Sequence, residues 1–153
     1  MQSLEVKVPP PAVAAAVAVV MWGISRLLPL FLLSSALRVG AAVAIVSVGI
    51  GFSAAGIIAF RRARTTVNPA KPEQATSLVT SGVYRITRNP MYVGLSFVLV
   101  AWAVFLSSAW ALFGPVAFVL YIGRLQIAPE ERALARLFGS QYEDYRARVR
   151  RWL

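Results

Sequence analysis

The chain has 153 residues, 58% of them hydrophobic, and carries 16 Lys/Arg against 6 Asp/Glu for a formal net charge of +10. Cys and His are absent, which excludes disulfides, thiolate nucleophiles, imidazole acid-base catalysis and ordinary zinc sites. Four stretches of about 18 to 22 residues are nearly free of charge, the pattern of membrane-spanning helices, and basic residues flanking such runs speak for membrane topology and against nucleic acid as a partner.

The N-terminal MQSLEVKVPPP lacks the cationic start of a cleaved signal peptide, so the first apolar run, about Ala12 to Leu33, reads as a retained helix. Arg26 lies in its second half, either snorkelling to an interface or facing the bundle interior. The second run, about Val39 to Phe60, sets Gly40, Gly49, Gly51 and Gly56 among Ala and Val. Small residues allow close helix approach in lipid, which predicts a helix buried in the bundle. It stops at the basic Arg61 to Arg64, and about 25 polar residues follow, the longest extramembrane connection.

The third run, about Pro90 to Leu106, and the fourth, about Trp110 to Ile127, are joined by a few residues, which forces an antiparallel hairpin. From Pro129 to Trp152, apolar residues recur every three or four positions, predicting an amphipathic helix that Phe138-Gly139-Ser140 interrupts. The expected fold is therefore all-α and integral to the membrane: about four transmembrane helices plus a C-terminal amphipathic cytoplasmic helix. Residues 1–60 form an N-terminal two-helix region. Residues 61–153 form the functional region, made of a loop 61–89, a hairpin 90–127 and the amphipathic helix 129–152.

Residues 61–88 hold six Lys/Arg against one acid, and residues 124–153 hold seven against four. The positive-inside rule makes this side cytoplasmic, together with both termini.

Two segments stand out on that side. In GVYRITRNPMYVG, residues 82–94, Pro90 suits a first helical turn, and Asn89 is expected to cap it by accepting from a free backbone N–H. In the plain reading, Arg85 and Arg88 are positive-inside charges, and Tyr84 and Tyr92 belong to the interfacial aromatic belt. In PEERALARLFGSQYEDY, residues 129–145, Glu130 and Glu131 would oppose the positive end of a surface helix. The hairpin returns these two acids to the face that carries Asn89. Together the segments define a pocket beside lipid, suited to a zwitterionic cofactor from water and a lipophilic substrate from the bilayer.

LVTSGVYRITRNPMYVG, followed about 35 residues later by EERALARLFGSQYEDYRARV, resembles the isoprenylcysteine carboxyl methyltransferase family and the related phospholipid N-methyltransferases, over about residues 65 to 150. The resemblance implies an integral-membrane methyltransferase that uses S-adenosyl-L-methionine and acts on a lipophilic or small acceptor: a prenylcysteine carboxylate, a phospholipid amine or a thiol. It implies cofactor contacts from Thr76, Ser77, Leu78, Val79, Tyr84, Asn89, Pro90, Met91, Tyr92 and Glu130, with Glu131 the adjacent acid of the motif. A carboxylate suits the cofactor's ammonium, and helix-start N–H groups with Arg88 suit its carboxylate.

The eukaryotic prenylcysteine enzymes have His-Pro where this chain has Asn89-Pro90. They also carry a substrate arginine where this chain has Gln126, with Arg124 about 200° around the helix from it. That substitution weighs toward amine, thiol or other lipid acceptors.

Methyl transfer from a sulfonium needs mainly positioning and exclusion of water. A carboxylate acceptor needs no base; for an amine or thiol, Glu131 and Tyr92 are the candidate catalytic groups. No metal is implied. The alternatives are an NADPH-dependent enzyme like the membrane sterol reductases, a non-enzymatic membrane subunit, and a transporter. The last would want ionisable or broken helices at mid-membrane.

Overall fold

The computed structural model describes residues 8–27, 34–63 and 76–153, and among them there is no strand beyond one isolated bridge, Thr87 to Arg150. The chain forms α1 (Pro10–Leu27), α2 (Ser35–Arg62), a 3₁₀ turn (Gly82–Arg85), α3 (Pro90–Leu106), a second 3₁₀ turn (Trp110–Leu112), α4 (Phe113–Ile122), a π-helical segment (Gly123–Ile127), α5 (Ala128–Phe138) and α6 (Ser140–Arg148). Pro10–Leu27, Ser35–Arg62 and the continuous Trp110–Phe138 are long and apolar enough to cross a membrane. α3, with 17 residues, is the shorter apolar helix beside them. The first part of the expected cofactor loop, residues 64–75, lies outside the described residues.

α2 packs on α3 more extensively than any other pair of helices among the described residues. Glycine makes this possible: a Cβ on Gly49 would stand 2.7 Å from the Gly94 carbonyl oxygen and 2.9 Å from Phe97 Cβ. The two helices are antiparallel, since Gly56 lies against Pro90 and Met91 while Arg38, at the other end of α2, lies over Phe105. The expectation that α2 is buried in the bundle is corrected here. Only Gly49 and Gly56 are buried, and Val39, Val43, Val48, Ile50, Ile57 and Ile58 are exposed. Small residues form one stripe against α3, and the bulky apolar ones cover the side that lipid would wet. Gly40 and Gly51 have no neighbour where a Cβ would stand, so they are not part of that stripe.

α1 is fixed from the other side, where the Trp102 indole donates to the Ala18 carbonyl at 3.0 Å and buried Met21 seats against Gly114 of α4. Arg26, at the end of α1, is exposed, with its guanidinium 5.9 Å from the Trp22 ring. Ser107, in the left-handed conformation at φ 51°, closes α3, and the short link to α4 makes the antiparallel hairpin. One core holds Met21, Tyr92, Leu99, Phe118, Ile122 and Ile127. A second, at the Asn89 end, holds Val79, Tyr84, Tyr142 and Tyr145, with Phe60, Leu134 and Phe138 packed on it.

The C-terminal third departs from the sequence expectation. No break separates the fourth run from a surface helix, because α4 continues through the π segment into α5. Pro129 supplies the physical reason for the π turn. It has no N–H for the Leu125 carbonyl, and its ring would clash there in a regular helix. The chain widens instead, and the Ala128 N–H bonds back to Gly123. Glu130 and Glu131 therefore do not face a free helix N-terminus, and the dipole reading of these acids falls. The interruption at Gly139 is present, at φ 51°. The helix then ends at Arg148, so residues 129–152 form two helices and an extended strap.

Candidate functional site

Local backbone chemistry builds the site from three segments. Pro90 stands in the first turn of α3, and the Tyr92 and Val93 N–H groups bond to the Asn89 carbonyl, each at 3.0 Å. The Asn89 side chain makes no cap. At φ −132° and ψ 55° its amide turns away, and Nδ2 donates instead to the Arg151 carbonyl at 2.9 Å. The expected capping role is thus replaced by a tether to the C-terminal strap.

Thr87, fully buried, completes the tether. Its hydroxyl accepts from the Asn89 N–H at 3.2 Å and donates to the Arg151 carbonyl at 3.1 Å, while the Arg88 N–H bonds the Arg150 carbonyl at 2.9 Å. Trp152 packs against the core that contains Tyr92.

Two polar clusters result. In the first, the Tyr92 hydroxyl and the Gln126 amide both donate to Glu130 Oε1, each at 2.7 Å, so the hairpin brings the start of α3 onto α5 as expected. Gln126 and Glu130, four residues apart where the π turn passes into α5, share one face, and π turns are frequent at functional sites.

In the second cluster, Arg88 meets Glu131 at 3.0 Å and donates to the Tyr142 hydroxyl at 3.4 Å. Arg151 closes on the same carboxylate with two donors, Nε at 3.1 Å and Nη2. Arg88 and Glu131 side chains are each 11% exposed, against 39% for Arg151. The Arg88 Nε is buried and has no hydrogen-bond partner.

The other expected residues divide. Val79 and Tyr84 are buried in the tyrosine core, with Leu78 packed on it. The Ser77 hydroxyl donates to the Ala63 carbonyl at 3.2 Å and ties the loop to the end of α2, and Thr76 is exposed. Pro90 and Met91 direct their side chains to Gly56 of α2, a different face of α3 from the one that carries Tyr92 to Glu130.

The Tyr145 hydroxyl donates to the Tyr84 carbonyl at 2.8 Å, and Tyr84 meets Phe60 edge-on at 5.4 Å. Burial pushes the Tyr84 phenol well above its ordinary range, with Tyr145 and Glu130 adding to the shift. Burial likewise raises Tyr145 and Tyr142. All three phenols stay protonated at neutral pH.

A family model for phospholipid methyltransferases matches residues 37–141, more than half of the chain. The chain belongs to the phospholipid methyltransferase family. Of individual relatives, an uncharacterized protein of Haemophilus influenzae is 43% identical over 63 residues, 41% of this chain and the whole of that protein. Protein-S-isoprenylcysteine O-methyltransferase B of Arabidopsis thaliana is 34% identical over 96 residues, 61% of this chain and 47% of the plant protein. The chain thus spans about half of that enzyme's length. No solved structure gives a significant match.

Arg151 and Thr87 are the residues that sequence reasoning missed. Arg151 is one of four arginines among residues 146–151, and nothing local distinguishes it. Its role comes from contacts with residues 20 and more than 60 positions away.

Proposed function

We propose that this protein is an S-adenosylmethionine-dependent methyltransferase of the membrane, with its site and both termini on the cytoplasmic face. Its acceptor is a lipid amine; a prenylcysteine carboxylate or a thiol is the alternative. The observation that carries this reading is the Arg88–Glu131 ion pair together with the Tyr92–Glu130 hydrogen bond at the mouth of the α3–α4 hairpin, beside buried tyrosines.

The residues present fit the group that the family implies. The unpartnered, buried Nε marks Arg88 as the receiver of a carboxylate. The two hydrogen bonds described to Glu130 fall on Oε1, and the carboxylate suits an ammonium. Val79, Leu78 and Tyr84 provide an apolar and aromatic wall. Bound S-adenosylmethionine supplies an activated methyl group, so the protein needs no nucleophile of its own.

The chain's own contribution is positioning. Glu131, with its carboxylate occupied by two guanidiniums, is an anchor: it orients Arg88. Of the two candidate acid-base groups, Tyr92 is then favoured. A proton taken from an amine by the Tyr92 oxygen is matched by transfer of the phenolic proton to Glu130 along their 2.7 Å hydrogen bond. Gln126 is buried and bonded to Glu130, so it offers no cation to a carboxylate acceptor, which favours the amine.

The test is calorimetry of S-adenosylhomocysteine binding to the detergent-purified protein. Wild type should bind in the micromolar range, and Glu130→Gln and Arg88→Met should each bind about tenfold or more weakly, the loss expected for a charged hydrogen bond. Folded wild type that binds NADPH and not S-adenosylhomocysteine would replace this reading with a reductase-like one.

A further inference from the structure

A second feature lies away from the polar clusters. α1 and α2 do not close on each other over α3, and an apolar trough of about 650 Å³ remains between them. Its walls are Pro11 to Ala18 of α1 and Ala42 to Val46 of α2, and its floor runs from Leu95 to Phe105. That volume falls in the range of about 300 to 1,000 Å³ typical of small-molecule sites.

The shape and lining admit a lipid tail. Ten residues of helix set a length of about 15 Å, and apolar side chains line the trough along it, so an acyl chain can lie against α3.

Charge fixes the rest of the ligand. At the end of the trough remote from Asn89, the Arg38 guanidinium lies 5.2 Å from the ring of Phe105, itself a trough residue. Arg38 Nε is buried and has no hydrogen-bond partner. Arg26 is the other cation described at this end. The acids among the described residues are Glu130, Glu131, Glu143 and Asp144, all on α5 and α6 at the opposite end. A cation that ends an apolar trough and faces none of the described carboxylates calls for an anion carrying a hydrocarbon tail.

We infer that the α1–α2 trough is a binding site for an anionic phospholipid, with an acyl chain along α3 and the phosphate on Arg38. This site is separate from the candidate methyl-transfer site and sits at the opposite membrane face. A lipid there fills the gap between α1 and α2 and fastens the two helices through α3.

Thermal unfolding of the purified full-length protein tests this, titrated with phosphatidylglycerol, with phosphatidylcholine of the same acyl chains, and with glycerol 3-phosphate. Wild type should bind phosphatidylglycerol about fivefold more tightly than phosphatidylcholine, the effect of one arginine at a membrane surface. Glycerol 3-phosphate should produce no shift. Arg38→Gln should remove the preference while retaining the response to both lipids. Ala15→Phe, which plugs the trough from an exposed position, should weaken both responses and leave S-adenosylhomocysteine binding unchanged. Equal affinity for the two lipids, a preference that survives Arg38→Gln, or an equal shift with glycerol 3-phosphate overturns the assignment. So does an Ala15→Phe variant that changes the oligomeric state and not the lipid response, since that result assigns the trough to a protein contact.

Discussion

Glu131→Gln separates the energetic role of the charge cluster from its shape, because the amide keeps the volume and can still accept one hydrogen bond. Glu131 and Arg88 side chains are each 11% exposed, close to the buried limit, where removing one partner of an ion pair costs about 3 to 5 kcal/mol. Arg151 is 39% exposed, closer to the surface limit of about 0.2 to 1 kcal/mol. Losing the carboxylate strands the more buried guanidinium, so about 2 to 3 kcal/mol is expected after allowing for residual solvent access.

Arg88→Met should cost less, about 1 to 2 kcal/mol, because Glu131 retains Arg151. Arg151→Met should cost about 1 kcal/mol. A double-mutant cycle of Glu131→Gln with Arg151→Met, read by thermal or denaturant unfolding in one detergent, should return a coupling of about 1 kcal/mol that shrinks with added salt. An Arg88→Met variant less stable than Glu131→Gln would refute the ordering, because it would mean that Arg88 contributes mainly through contacts other than the ion pair. Zero coupling would show that the strap is held by its backbone hydrogen bonds alone.

Two further outcomes follow from packing and burial. Gly49→Leu should destabilise the protein by about 1 to 3 kcal/mol or prevent its accumulation in membranes, since a Cβ there already meets the Gly94 carbonyl at 2.7 Å; Gly51→Leu, with open space around it, is the control. Tyr145→Phe should cost about 1 to 3 kcal/mol by stranding the Tyr84 carbonyl, measured by the same unfolding assay. The folded pKa values of Tyr84 and Tyr145 are raised by burial, so their stabilisation is complete below the unfolded phenol value of about 10 and is lost as pH rises above it. Melting temperature should therefore fall above about pH 10, less steeply in Tyr145→Phe; an identical alkaline slope would remove Tyr145 from this account.

The membrane helices were legible because apolar length reports directly on the bilayer, and a three-residue link leaves a hairpin as the simplest path. The start of α3 at Pro90 was legible for a local reason too, the ring's fit to a first helical turn. α2 was misread because glycine content was taken for burial, whereas the contact with α3 uses Gly49 and Gly56 and not Gly40 or Gly51. Composition counts small residues; only the neighbouring helix decides which of them form the contact stripe.

The site divides along the same line between local and distant causes. Hairpin geometry returned Glu130 and Glu131 to the face that carries Asn89, since two helices of similar length bring their ends to one level, and the Tyr92–Glu130 hydrogen bond joins those ends. Asn89 was misassigned because its side chain has two possible uses. Intrinsic preference favours the cap, but the Arg151 carbonyl competes from 62 residues away and takes the amide. That competition has a physical basis: the Arg151 carbonyl offers a second lone pair beside the one that takes the Thr87 hydroxyl, whereas the N–H groups of Tyr92 and Val93 already bond to the Asn89 backbone oxygen. The strap therefore sets the conformation of the Asn-Pro turn, and through Glu131 it sets the position of Arg88. A residue that contacts the site only through others leaves no signature in a single sequence, which is why Arg151 came to light only in the folded chain.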